Sequence, residues 1–246
     1  MTGRRRVVIN QSNYIPWKGY FDLIHDADVF VFYDDVQFTK NDWRNRNLLK
    51  GPRGLQWLSV PVGRRVHRRI SDVSVAPGQW QEQHWKTITQ LYRRAPFFAA
   101  YAEAFRPIYL TRRWDRLSEL NQHLIEKIAR ECLGITTEFV HSASIPSSRT
   151  GQDRVLDLLS ALGATEYLSG PAGKAYLEPT RFDECGITLT WKDYSGYPEY
   201  AQFHPPFEHR VSVLDLLFQV GPDAPSLIWE WRSGRGAAEV QRAASR

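Results

Sequence analysis

Val7, Val8 and Ile9 form a short apolar run that stops at three amides, Asn10, Gln11 and Asn13. Pro16, Trp17, Lys18 and Gly19 then make a turn. Phe21, Leu23, Ile24 and Ala27 are spaced to cover one face of a short helix. A second apolar run, Val29 to Tyr33, stops at Asp34 and Asp35. This is a β-α-β pattern with a compact crossover, and such units place their strands in parallel. Leu55–Val62 alternates in part and predicts a third strand, and Ile70–Val75 predicts another short one. From Gln79 the period changes. Trp80, Trp85, Ile88, Leu91 and Tyr92 recur at near-helical spacing, and Phe97, Phe98, Tyr101, Phe105 and Tyr109 continue the aromatic density. Leu117, Leu120, Leu124, Ile125 and Ile128 recur in steps of three and four, and Gly134 ends the run.

The later chain returns to short alternating elements. Glu138–Ser142 predicts a strand, Val155–Leu162 a helix, Tyr167–Ser169 and Ile187–Trp191 two more strands, and Val211–Val220 a closing helix. A short helix is expected to open at Ala175–Leu177. The expected architecture is α/β, with a mostly parallel, Rossmann-like sheet and a helical insertion spanning about 79–134. Residues 1–235 are read as one domain and 236–246 as a frayed tail.

Candidate chemistry concentrates where the first two strands stop. In open α/β sheets, ligands bind outside the carboxyl ends of the strands. Asn10, Gln11, Asn13 and Tyr14 could read a carbonyl, hydroxyl or amide, and Asn or Asp could equally cap the loop. Trp17 and Lys18 stand at the mouth of the first helix, where Lys18 could neutralise a phosphate. Asp34 or Asp35 could act as a general base, hold Mg²⁺, or pair with Arg44 or Arg46. Gln37, Trp43, Arg44, Asn45 and Arg46 make the densest polar loop, with arginine suited to phosphate or carboxylate and tryptophan to a ring face. Asn10, Gln11, Tyr14, Asp34, Asp35, Gln37, Asn45 and Arg46 are expected to face one cleft. Ser169, Gly170 and Lys174 lie in a glycine-containing loop that lacks P-loop spacing but could offer backbone N–H groups to an anion. His204 and His209 are the alternative proton acceptors. No third ligand is fixed near them, so no metal is expected, and no cofactor is specified.

Composition adds little to this picture. Hydrophobic residues make up 42% and charged residues 24% of the 246, ordinary globular values. No apolar run approaches the roughly 20 residues that span a bilayer. The basic N-terminus lacks a signal-peptide core, so a cytoplasmic location is expected. Cys132 and Cys185 are expected to be reduced, buried thiols. The net charge of +5 suits an anionic ligand. No nucleic-acid motif is recognisable, and nucleic acid is not an expected partner.

The run QSNYIPWKGYFDLIHDADVFVFYDDVQFTKNDWRNRN resembles the signature of the WbqC-like family of bacterial proteins. GATEYLSGPAGKAYL and YSGYPEYAQFHPPFEHRVSVLDLLF resemble later parts of it. The likeness covers roughly residues 5 to 230. Many members read His-Gln where this chain reads Asn10-Gln11, so no imidazole stands there. The family occurs in gene clusters for surface polysaccharides and natural products, and members are described as glycine or aminoacyl transferases. The resemblance implies an amide-forming transferase acting on a sugar or other small molecule with an activated acyl donor. The opening βαβ unit is also similar to nucleotidylyltransferases and pantothenate synthetase. Their His-x-x-His element is missing here: the corresponding loop is Pro16-Trp17-Lys18-Gly19-Tyr20. A nucleotide-dependent ligase is therefore a further reading. A third reading is a non-catalytic binding or scaffold subunit of a polysaccharide assembly, using the aromatic helical block as its interface. A homodimer is an admissible assembly.

Overall fold

The computed structural model describes residues 3–63 and 67–233. Its centre is a parallel sheet of β1 (Arg6–Asn10), β2 (Val29–Phe32), β5 (Glu138–His141), β6 (Glu166–Ser169) and β7 (Thr188–Trp191), in the order β5-β2-β1-β6-β7. Counting these five strands alone, the order is 3-2-1-4-5. The chain works outward from β1 on one side and then returns to work outward on the other. The order reverses between β1 and β6, the switch point at whose carboxyl edge sheets of this kind open a crevice. Asn10, Phe32 and His141 lie level in the register, and Val7 pairs with Tyr167, so extending that ladder sets Asn10 level with Gly170. All these strands discharge their loops at one edge.

The strands form where they do because both faces are covered, which favours continuous Val, Ile and Phe runs. Val7, Ile9, Val29 and Val31 pack on one face against Leu158 and Leu159 of α5 (Gly151–Ala161) and Phe182 of α6 (Pro179–Glu184). Val8, Phe30 and Phe32 pack on the other, with Phe21 and Ile24 of α1 (Lys18–His25) and the helical block. That block is α2 (Trp80–Tyr92), α3 (Phe98–Leu110) and α4 (Leu117–Lys127), continued by a π-helical turn at Ile128–Cys132. Together these elements run from Trp80 to Cys132. They meet α7 (Val213–Val220) through Phe218, whose ring lies 5.4, 5.1 and 6.2 Å from those of Tyr92, Phe98 and Phe105.

Two polar clusters inside this core are paired. His84 donates from Nε2 to the Ser59 carbonyl at 3.1 Å, which leaves Nδ1 to accept from the Tyr14 hydroxyl at 2.8 Å. Tyr109 then donates to Tyr14, also at 2.8 Å. Burial lowers the His84 pKa to about 4, so this imidazole is neutral. Asp22 of α1, fully buried, meets Lys192 at 2.8 Å, Arg232 at 2.6 Å and the Tyr197 hydroxyl at 2.5 Å. The first helix is thereby fastened to the chain beyond β7.

Several expectations are corrected. The strand expected at Leu55–Val62 is shorter and lies outside the main sheet: β4 (Gly54–Ser59) pairs antiparallel with β3 (Arg46–Gly51) in a separate hairpin. Ile70–Val75 holds a 3-10 turn at Ile70–Asp72, because Ile70 and Val73 are anchored in the core and only single bridges form at Ser74 and Val75. The short helix near Ala175 begins earlier, as a 3-10 turn over Pro171–Ala175. Both cysteines are free, but neither is fully buried: Cys132 is half-buried, and Cys185 is exposed because it follows the last turn of the surface helix α6. The tail from 236 lies outside the described residues.

Candidate functional site

The loops after β1 and β2 meet at the carboxyl edge through Asp34. Ser12, fully buried, donates its backbone N–H to Asp34 Oδ1 at 2.8 Å, and Gln122 of α4 donates from Nε2 to Oδ2 at 2.7 Å. Burial raises the Asp34 pKa; the Ser12 and Gln122 hydrogen bonds and the Arg44 charge oppose it. A carboxyl group in that state is nearer to being a proton acceptor at neutral pH than an ordinary surface aspartate.

Arg44 reaches into the same edge from the polar loop. One Nη donates to Asn13 Oδ1 at 2.6 Å and the other to Gln11 Oε1. Its Nε–H is buried and has no hydrogen-bond partner. The loop is fixed from behind: Asn121 donates to the Arg44 carbonyl at 2.8 Å, and the Trp43 carbonyl accepts from the Tyr14 N–H at 2.9 Å. Tyr20 of α1 donates its hydroxyl to the Gln11 carbonyl at 2.8 Å. Burial and the neighbouring Asp34 charge raise the pKa of that phenol, so it stays a donor. Asn10 uses its side chain locally, accepting from the Gln11 N–H at 2.9 Å.

Across this switch point β6 ends at Ser169, and Gly170 follows it. Trp17 and Tyr194 span the gap: their rings lie 5.2 Å apart, and a Cβ built on Gly170 would meet the Tyr194 hydroxyl at 3.7 Å. Gly173 is required here, since a Cβ would come within 2.5 Å of Ser169 Oγ and 2.8 Å of the Trp191 ring. Lys174 stands with its ammonium 5.9 Å from the Trp191 ring centre. Lys18 does not reach the crevice. It is buried, donates to the Pro198 carbonyl at 3.1 Å, and is surrounded by the rings of Tyr197, Tyr200 and Phe207. Burial lowers its pKa to about 8.

Not every expected residue joins this site. Asp35 lies on the opposite face of the sheet edge, where it accepts from Ser142 Oγ at 2.5 Å and from Arg154 of α5 at 3.1 Å. Alternation along β2 explains the split, because consecutive residues leave opposite faces. Its partner is thus Arg154, not Arg44 or Arg46. Tyr14 is directed into the helical block. Asn45 is buried and structural, donating to the Val60 carbonyl and accepting from the Asn41 N–H. Gln37 forms a bridge with Arg69. Arg46 stacks on Trp57 at 4.0 Å, and Trp43 lies 5.6 Å from the same ring. His204 lines a groove between the β3–β4 turn and the end of α2. His209 packs against Phe207, and burial and the Lys18 charge lower its pKa. Neither histidine is bonded to Asp34 or Asp35.

Ser12, Tyr20, Gln122 and Asn121 were not expected in the site. Asn121 carried a readable signal: it lies between Leu117 and Leu124 on the apolar stripe of α4, where an amide must serve some buried partner. Among the described residues, one group of acids and histidine lies close enough to share a cation, Asp22, His25 and Asp26. Lys192 and Arg232 already neutralise its two carboxylates.

Comparison with known proteins agrees with the sequence resemblance. The "Uncharacterized protein Rv1507c" of Mycobacterium tuberculosis is 43% identical over 226 residues, covering 91% of this chain and 97% of the relative. No solved structure matches. None of the described helices is long and apolar enough to cross a membrane. The sequence model of the WbqC-like protein family matches residues 11–227, and the chain belongs to that family.

Proposed function

We propose that this protein is a transferase that forms an amide, moving an acyl or aminoacyl group from an activated donor onto an amine of a sugar or other small molecule. The observation that carries the reading is the proximity at one sheet edge of a buried carboxyl group of raised pKa, Asp34, to a half-buried guanidinium, Arg44, whose buried Nε–H lacks an acceptor. The amine nitrogen attacks the acyl carbonyl and its bond to the donor's leaving group breaks. The nitrogen must lose a proton as the amide forms. Asp34 accepts that proton and returns it to the leaving group. Arg44 supplies positive charge to the carbonyl oxygen as it becomes an oxyanion, or to an anionic donor. Gln11, Asn13 and Tyr20 hold the guanidinium and the β1 loop in place, so little reorganisation is needed.

Steady-state kinetics separate the two roles. Asp34→Asn keeps the shape and removes the charge, so turnover falls by about 10²–10⁴ with a small change in KM. Arg44→Met raises the donor KM, by the equivalent of about 1.5–3 kcal/mol if the lost contact is a charged hydrogen bond. Undiminished turnover in Asp34→Asn removes the carboxylate from the mechanism. The 3-2-1-4-5 strand order favours one second reading, a nucleotide-dependent ligase, because this order commonly presents nucleotides at the switch point. Amide formation that requires ATP and releases pyrophosphate or phosphate would select it.

A further inference from the structure

Away from the β1–β6 crevice, the β3–β4 turn and the end of α2 enclose an open groove of about 1050 Å³. Arg53 from the turn and Arg93 and Arg94 from the helix end line it, and no carboxylate does. All three arginines are exposed, and none makes a side-chain hydrogen bond or ion pair among the described residues. A helix carboxyl end attracts cations, which accounts for Arg93 and Arg94 locally. It does not account for Arg53, which a different element brings to the same groove.

The groove also carries an apolar shelf. Leu55 and Trp57 are 43% and 44% exposed and, being two apart on β4, point from the same face of the hairpin. Trp43, 39% exposed, adjoins Trp57. Five large hydrophobic side chains are exposed among the described residues, and three of them are gathered here. Flat exposed rings beside unpaired guanidinium groups match a ligand with a flat ring and several negative charges.

We propose that this groove is a second binding site that takes a free nucleotide, with the base against the Trp57 shelf and the phosphates on Arg53, Arg93 and Arg94. The volume is of the size that encloses a small ligand. The inference stands apart from the transfer reaction, because binding is measured directly and needs no turnover.

The probes are ADP and UDP, titrated into the full chain by calorimetry and by quenching of tryptophan fluorescence. Binding is expected with both, weakening as salt is raised from 50 to about 500 mM. Arg93→Ser with Arg94→Ser lowers affinity by about tenfold or more. Trp57→Leu lowers affinity and removes most of the quenching. Both variants change exposed side chains, and their unaltered circular dichroism and melting confirm folding. Failure of both nucleotides to bind overturns the proposal. So does unchanged affinity in the groove variants, which would move the nucleotide elsewhere. Pyrophosphate binding as tightly as ADP would leave only an anion patch, and a single-stranded oligonucleotide binding far more tightly than either nucleotide would make the groove a nucleic-acid surface; each result also overturns it.

Discussion

Replacing Asp34 separates its structural role from its chemical one. Both carboxylate oxygens accept a hydrogen bond, from the Ser12 N–H and from Gln122. Asp34→Ala leaves the Ser12 N–H buried without an acceptor, costing about 1–3 kcal/mol, while half-buried Gln122 can turn to water. Asp34→Asn keeps an oxygen for Ser12, and rotation of the Gln122 amide restores the second bond, so its cost near pH 4 is about 1 kcal/mol or less. The pH dependence carries the chemical information. The folded-state pKa is raised above the unfolded value, so the wild-type contribution is fully present below about pH 4 and is lost as pH rises through the folded value. Asparagine has no such dependence. Urea unfolding of both proteins from pH 4 to pH 8 is therefore expected to show the difference moving steadily in favour of Asp34→Asn. A difference that is flat, or that moves toward wild type, would mean that Asp34 is held as a stable anion by Arg44. The raised proton affinity behind the transfer mechanism would then be gone.

Asp22→Ala leaves Lys192 and Arg232 with Asp26 alone and strands a buried charge, so unfolding free energy should fall by about 3–5 kcal/mol in denaturant titration. His84 is neutral when folded, so stability is present above pH 6.5 and is lost as pH falls toward 4, by roughly 3 kcal/mol. His84→Gln should flatten that part of the stability–pH curve. Phe218→Ala, at the meeting of three aromatic rings, should cost about 3–5 kcal/mol and lower the melting temperature without moving any group of the β1–β2 edge.

How much was legible depended on the distance over which each residue finds its partner. β1 and β2 could be read because their apolar runs are continuous and end abruptly in Asn10 and Asp34. The α4 stripe could be read because leucine spacing repeats locally. β3 could not: Arg46, Asn47 and Lys50 look like loop residues. They enter a strand because Asn47 donates to the Tyr14 and Ile15 carbonyls, and the Lys50 N–H is taken by the Tyr92 hydroxyl 42 positions away. The edge position of Asp34 was legible, but its partner Gln122 lies 88 residues along the chain. Asp35 looked equivalent to Asp34 because nothing local marks Arg154, 119 residues away, as its partner. The crevice itself follows from strand order, which short runs of sequence do not encode.

Formation of the amide tests the central claim most directly. The protein is incubated with amino-sugar acceptors and with aminoacyl-adenylate or acyl-thioester donors, and the acylated acceptor is followed by mass. The wild-type chain is expected to form it. A chain carrying Asp34→Asn and Arg44→Met, folded by circular dichroism, is expected to form it at least about a hundredfold more slowly. Product formed equally fast by the double variant, or by neither protein with any donor, would contradict the assignment of transfer chemistry to this sheet edge.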